Sequence, residues 1–322
     1  MEHHNQTMAY LILKGISTVP DLQVIVFTLV LLIYLLTFGG NLTILLVIFS
    51  DPLLHTPMYF FLCNLSCLDI MYTTVTLHRI LLVFLSGNSS IALSECLVQL
   101  YFFMSLVGIE LLLLTAMSYD RYVAICNPLR YPLVMNHKVC VLLVTTCWIL
   151  GFLDTIPFTY IVHGFTCYVS NIINHFFCDL LALMKLSCSD TSTLEHAILA
   201  EAAFSGLTPF ILTSASYGFI IRTILSIQTA TGRRKAFYTC SSHLTVVILF
   251  YVTLSCLYLR PTSMFSLDSD KLLSLVYTAV VPMLNPLIYS LKNEDVKRAL
   301  RGVLKHYDLL NPKVSSKWTL HH

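Results

Sequence analysis

The sequence predicts an all-α membrane protein: a seven-transmembrane helix bundle, N-terminus outside and C-terminus inside, with a short amphipathic helix after the seventh span. Three observations lead there. Of 322 residues, 57% are hydrophobic and only 11% charged, against about 25% charged in a soluble domain, and mean hydropathy is +0.77. So few charges cannot cover that much apolar surface in water, and disorder is excluded for most of the length. Seven runs are long enough and apolar enough to cross a bilayer, and Lys and Arg gather on alternate loops.

A crossing helix needs roughly 20 mostly apolar residues. Leu22 to Ser50 carries no charge, nor do Ala236 to Leu259 and Leu272 to Leu291. Pro52 to Phe84 holds Asp69 and Arg79; Cys96 to Tyr119 holds only Glu110, Val139 to Tyr160 only Asp154, and His196 to Ile221 only Glu201. A transmembrane barrel would show short alternating segments instead. The chain is thus expected to divide into an extracellular N-terminus (1–22), the seven-span bundle (23–291) and a cytoplasmic helix and tail (292–322).

Orientation follows from the loop cations. With the N-terminus outside, fourteen of the nineteen Lys and Arg face inward: Arg121, Arg130 and Lys138, then Arg222, Arg233, Arg234 and Lys235, then seven from Lys292 to Lys317. No Lys or Arg precedes Lys14, so no cleavable signal peptide is expected and the first helix serves as the insertion signal. Asn5-Gln6-Thr7 and Asn88-Ser89-Ser90 are glycosylation sequons on the outer side; Asn41-Leu42-Thr43 and Asn64-Leu65-Ser66 match the pattern inside spans. Of 11 Cys, Cys96, Cys167, Cys178 and Cys188 fall outside, an even number in an oxidising compartment, which allows two disulfides in any of three connectivities.

Several functions are excluded. There is no G-x-G pair and no H-E-x-x-H, hence no dinucleotide or P-loop fingerprint and no zincin helix. A net charge of +2 does not suit nucleic-acid binding. A transporter of inverted repeats would divide its spans evenly, and seven do not divide. An intramembrane hydrolase would need a nucleophile–base pair or a metal set, and no span carries His at i, i+4.

Charged and polar residues within spans are functional candidates by default. Asp69, Glu110 and Asn285 can form one cluster holding a sodium ion or a water network, oxygen ligands that hard cations prefer; the plainer reading is two separately hydrogen-bonded acids. Asp120-Arg121-Tyr122 is either a switch or an interfacial charge pair. Asn285-Pro286, with Tyr289 beyond, removes a backbone hydrogen bond and makes a hinge or a static kink. In the outer half, Phe103, Met104, Val107 and Gly108 share a face of the third helix at steps of three and four, and Tyr251, Leu254, Ser255 and Tyr258 share one of the sixth. Glu201 and Ser205 on the fifth helix and Leu275 and Thr278 on the seventh complete a set that reads as packing or as a ligand cavity. Ionised and facing the cavity, Glu201 favours a cationic ligand such as an amine; buried, it stays neutral. After Asn293, Val296, Leu300, Val303 and Leu304 form an apolar face and Lys297, Arg298, Arg301 and Lys305 a basic one, suited to the inner leaflet.

Five motifs then stand in order along the chain: LHTPMYFFL (Leu54 to Leu62), MSYDRYVAICNPLRYP (Met117 to Pro132), SY (Ser216-Tyr217), KAFYTCSSHLTVV (Lys235 to Val247) and PMLNPLIYSLKN (Pro282 to Asn293). The chain resembles the vertebrate olfactory (odorant) receptors of the rhodopsin-like, G-protein-coupled class. The resemblance implies a small, largely hydrophobic odorant bound between helices in the outer half. It implies a stimulatory, olfactory-type heterotrimeric G protein at the inner face, met by Arg121, the second and third inner loops and Arg233, Arg234 and Lys235. It also implies the pairings Cys96–Cys178 and Cys167–Cys188, a resting Asp120–Arg121 pair, Tyr217 and Tyr289 closing across the inner crevice when active with His243 in the same network, and no catalysis or cofactor beyond a structural sodium ion. Another rhodopsin-like receptor, for a non-odorant small molecule, is the alternative. Ser118 stands where the family often has Ala, Tyr238 where it usually has Ser, and Glu201 where it tends to be apolar.

Overall fold

The computed structural model describes residues 10–16, 19–258 and 267–310. Among the described residues, six helices are long and apolar enough to cross a membrane: span 1 at Leu22–Ser50, span 2 at Pro57–Ser86, span 3 at Leu93–Cys126, span 4 at His137–His163, span 5 at Ser192–Ser226 and span 7 at Lys271–Tyr289. Span 6, Ala230–Tyr238 with Cys240–Cys256, makes the seventh and bends by 43° at the break. A final helix covers Glu294–Leu310.

Local chemistry sets the ends. Pro57 opens span 2 at a position whose N–H has no helical partner in any case. Gly87 closes that span with φ +67°, a left-handed conformation costly for a side chain. Asn136 caps span 4 by accepting from Val139 N at 3.1 Å, and Asn293 caps the final helix by accepting from Asp295 N at 3.0 Å and Val296 N at 3.3 Å, each replacing a missing helical bond.

Span 3 is the axis. Leu106, Ile109, Leu113 and Leu114 on it are buried and lie in a core cluster with Leu65, Leu68 and Tyr72 of span 2 and Phe250 and Tyr277 of spans 6 and 7. Span 1 is peripheral, with Leu29, Leu32 and Leu35 each more than half exposed, as a helix facing lipid should be. Spans 3 and 4 cross at Gly151, where an added Cβ would meet Ile109 N and Ser105 O at 3.0 Å; only a small residue allows that approach.

One feature departs from the all-helical expectation. On the outer side Tyr10–Leu13 (β1), Ser90–Ala92 (β2) and Ile172–Ile173 (β3) form a small sheet in the order β2-β1-β3. β1 runs antiparallel to β2, with Tyr10 opposite Ala92, and parallel to β3, with Ile12 opposite Ile172. Leu11 and Leu13 are buried with Ile91, Ile173 and the Cys96 and Cys178 sulfurs. Strands of two to four residues are too short for alternation to show, and their pairing depends on contacts far apart in sequence.

Candidate functional site

At the inner end of span 3 the Arg121 guanidinium is buried yet satisfied. Its Nε donates to Asp120 Oδ2 at 2.9 Å and its Nη2 to the same oxygen, while the Tyr131 hydroxyl donates to Asp120 Oδ1 at 2.8 Å. Burial, with the Asp120 carboxylate beside it, pushes the Tyr131 hydroxyl above its ordinary pKa, so it remains a donor. Breaking such a pair by deleting one partner costs about 3–5 kcal/mol. Tyr122 packs its ring against Tyr119 and Phe219. Around Arg121, within electrostatic range, stand Tyr217 of span 5, Cys240 and His243 of span 6 and Tyr289 of span 7. Tyr217 is hydrogen-bonded to His243 Nδ1 at 2.5 Å.

Deeper in the bundle lies a polar core. Asn285 Nδ2 donates to both carboxylate oxygens of Asp69, at 3.2 and 3.0 Å, and Asn41 Nδ2 donates to the Thr37 carbonyl at 3.0 Å while also reaching Asp69. Glu110 interacts electrostatically with Asp69. Glu110 Oε1 and Asn285 Oδ1 are buried without a hydrogen-bond partner among the described residues. Spans 1, 2, 3 and 7 thus meet at one carboxylate-rich point directly beside Pro286.

The olfactory receptor sequence profile matches residues 30–306. The human olfactory receptor 8D1 is 47% identical over 94% of this chain and 98% of its own length. The mouse olfactory receptor 5AR1 is 44% identical, over 94% and 97%. The chain belongs to the olfactory receptor family. Among solved structures, squid rhodopsin superposes with a TM-score of 0.71 at 17% identity, covering 91% of this chain and 88% of that one, a likeness of fold. The receptor is accordingly a multi-pass plasma-membrane protein and not an enzyme, with a small-molecule ligand and a heterotrimeric G protein as its partners.

The outer half of this olfactory receptor is closed by loops. Cys96 is bonded to Cys178 and Cys167 to Cys188. Beside the first bridge Gln99 accepts from Cys178 N at 2.9 Å and donates to the Val75 carbonyl at 2.7 Å, so the loop is fixed to spans 2 and 3 together. Asp179 caps the loop helix Leu180–Leu186 by accepting from Leu181 N and Ala182 N. His175 is buried under the same loop, its ring against Phe176 and Phe177 and its Nε2 3.3 Å from Ser274 Oγ of span 7. Asn88 is exposed and accepts from Ser90 Oγ at 2.7 Å; Asn5 lies outside the described residues.

The residues singled out as cavity candidates separate into groups. Phe103 is buried in an aromatic cluster, its ring 5.6 Å from Tyr72, 4.7 Å from Phe177 and 6.5 Å from Tyr277. Gly108 lies against span 4, where an added Cβ would come 3.7 Å from Gly151, so its smallness serves helix contact. Met104 and Val107 are half-buried, and Tyr251, Leu254 and Leu275 pack partly against the core. The Tyr251 ring meets Phe210 at 5.1 Å, and its hydroxyl faces Thr115 and Thr213, which are 3.3 Å apart. Thr278 is buried and donates to the Ser274 carbonyl at 2.7 Å, within a π turn, Val276–Val280. Ser255 is exposed, and the Tyr258 side chain lies outside the described residues. Glu201 is half-buried and lies within interaction range of the exposed Asp154 of span 4 and of Ser205, at the start of another π turn, Ala202–Gly206. Two residues had gone unnoticed: Asp154, visible only as a lone charge in span 4, and Tyr131, hidden inside a family motif.

Proposed function

We propose that this receptor binds a small, largely hydrophobic odorant in the outer half of the bundle and activates a stimulatory, olfactory-type G protein, raising cAMP. The observation that carries this reading is the closed inner face. Arg121, held by Asp120 and Tyr131, lies at the convergence of spans 3, 5, 6 and 7, where a departing span 6 would open a crevice. A ligand shifts such a two-state bundle only by binding one state more tightly than the other. Met104, Val107, Tyr251 and Leu254 are half-buried and mostly apolar, with the Tyr251 hydroxyl as a polar group, which suits a small, partly hydrophobic molecule.

Glu201 adds a charge preference to this reading. An ammonium group reaching Glu201 and Asp154 would make charge-assisted hydrogen bonds to both carboxyl groups, so an amine is the favoured polar class of ligand if Glu201 faces the cavity.

The polar core fits one sodium ion. Asp69, Glu110 and Asn285 present buried oxygens, two of them unpartnered, and hard cations take such ligands. The bound ion would neutralise the carboxylate pair and tie spans 2, 3 and 7 in their resting arrangement.

The test is a cAMP measurement in cells expressing the receptor against a broad odorant panel, repeated on Arg121→Ala at matched surface level. The expected result is a ligand-dependent rise that Arg121→Ala abolishes. An undiminished response in the variant, or coupling through another G-protein class, would overturn the reading.

A further inference from the structure

On the inner half of the bundle, between span 1, span 7 and the final helix, a lateral cavity of 280 Å³ opens toward the lipid. Leu36, Gly39, Met283, Pro286, Val296 and Leu300 contribute to its walls. Two adjacent glycines act differently there. A Cβ on Gly40 would meet Pro286 Cγ at 3.0 Å, whereas a Cβ on Gly39 would meet nothing within 4 Å. Gly40 therefore lets span 1 touch the hinge of span 7, and Gly39 leaves a slot open beside that contact. Leu35 and Leu287 are about half exposed along the slot, so its mouth is continuous with the hydrocarbon.

An apolar void facing a bilayer gains dispersion contacts when methylenes fill it. The charge at its inner end selects among the available lipids. The slot takes Val296 and Leu300 from the final helix; on the neighbouring ridge, one position round, stand Lys297 and Arg301. Lys297 is hydrogen-bonded to Glu294 at 2.8 Å and Arg301 interacts with the same carboxylate only at longer range, so the headgroup contact falls chiefly on the more exposed Arg301. The cytoplasmic leaflet carries the anionic lipids.

We propose that this slot binds one acyl chain of an anionic inner-leaflet phospholipid, with its phosphate on Arg301 and Lys297. Since Pro286 and Met283 form one wall, the bound chain braces the span 7 hinge against span 1 and holds the inner face closed. This rests on the membrane placement of the chain and not on which odorant or G protein it uses.

The experiment uses the full-length receptor in nanodiscs and a phosphatidylserine probe with a photoreactive acyl chain. Crosslinks should map to peptides containing Leu36–Val47 and Met283–Leu287. They should fall at least five-fold in Gly39→Leu, whose side chain fills the slot without meeting another helix at its Cβ. Gly39→Ala should keep most of the labelling, and thermal unfolding of each variant checks its fold. A phosphatidylcholine probe should label several-fold less than phosphatidylserine, and Arg301→Gln, on an exposed surface, should erase that preference. Labelling unchanged in a folded Gly39→Leu would overturn the proposal. So would a photoreactive sterol that labels the same peptides while phosphatidylserine does not, or an anionic preference that survives Arg301→Gln.

Discussion

The Tyr217 hydroxyl lies 2.5 Å from Nδ1 of His243, with the two rings stacked 5.9 Å apart and both side chains buried. This bond ties span 5 to span 6 within reach of Arg121. The Tyr289 hydroxyl, also buried and of span 7, has no partner among the described residues. The closure of Tyr217 with Tyr289 across the inner crevice, which the resemblance implies for the active state, is not made in this arrangement, where Tyr217 is bonded to His243. If this bond helps to hold the receptor at rest, its loss should favour the active arrangement.

His243→Phe removes this bond while keeping the ring. A buried hydrogen bond contributes about 1 kcal/mol net, so the variant should raise basal cAMP about five-fold at matched surface expression. Basal activity equal to or below that of the unsubstituted receptor would show that the bond does not hold the resting state.

For the polar core, exchanging choline for sodium should lower the thermal stability of purified receptor, because an ion that binds only the folded state stabilises it. The same exchange should increase agonist potency several-fold. Glu110→Gln should erase both effects. A sodium dependence that persists in Glu110→Gln would place the ion elsewhere.

If an amine sits between Glu201 and Asp154, Glu201→Gln should weaken responses to amines at least ten-fold and leave neutral odorants nearly unchanged. Equal losses for both ligand classes would indicate a structural role for the carboxyl pair. Unchanged amine responses would remove the charge preference altogether.

The outer loop should respond to acid through His175. Burial lowers its pKa, with Lys271 acting in the same direction and the Asp179 carboxylate opposing. Folded His175 stays neutral where an unfolded histidine, with a pKa of about 6.5, takes up a proton. Stability of the closed loop is thus complete above about pH 6.5 and falls as pH drops through that value toward the folded pKa. Hydrogen exchange over 172–180, corrected for intrinsic rate, should be faster at pH 5.5 than at pH 7.5. His175→Phe should remove the difference. A pH effect persisting in that variant would assign it to another group.

Much of this was readable in one dimension. Asp69, Glu110 and Asn285 were recognisable because a polar group in hydrocarbon is expensive and stands out against its neighbours. The spans were recognisable because twenty apolar residues have few other uses. The Glu201 contact was not, since its neighbours could not say which way the side chain turns. Span 5 switches to a π turn immediately after Glu201, and span 4 packed alongside brings Asp154 within its range. Gly108 and Phe103 illustrate the same limit: periodicity placed them on one face, and neighbouring helices allotted that face to Gly151 and to an aromatic cluster.

By itself, then, the order of residues determined that this chain crosses the membrane as a helical bundle, which way its cations point and where charge is buried. Each follows from transfer energies that act residue by residue. The buried Asp120–Arg121 pair joined by Tyr131, the Tyr217–His243 bond, the outer sheet and the slot beside Gly39 were decided only when helices packed. These depend on distances between segments tens to hundreds of residues apart, and such distances are set by interdigitating side chains rather than by local pattern.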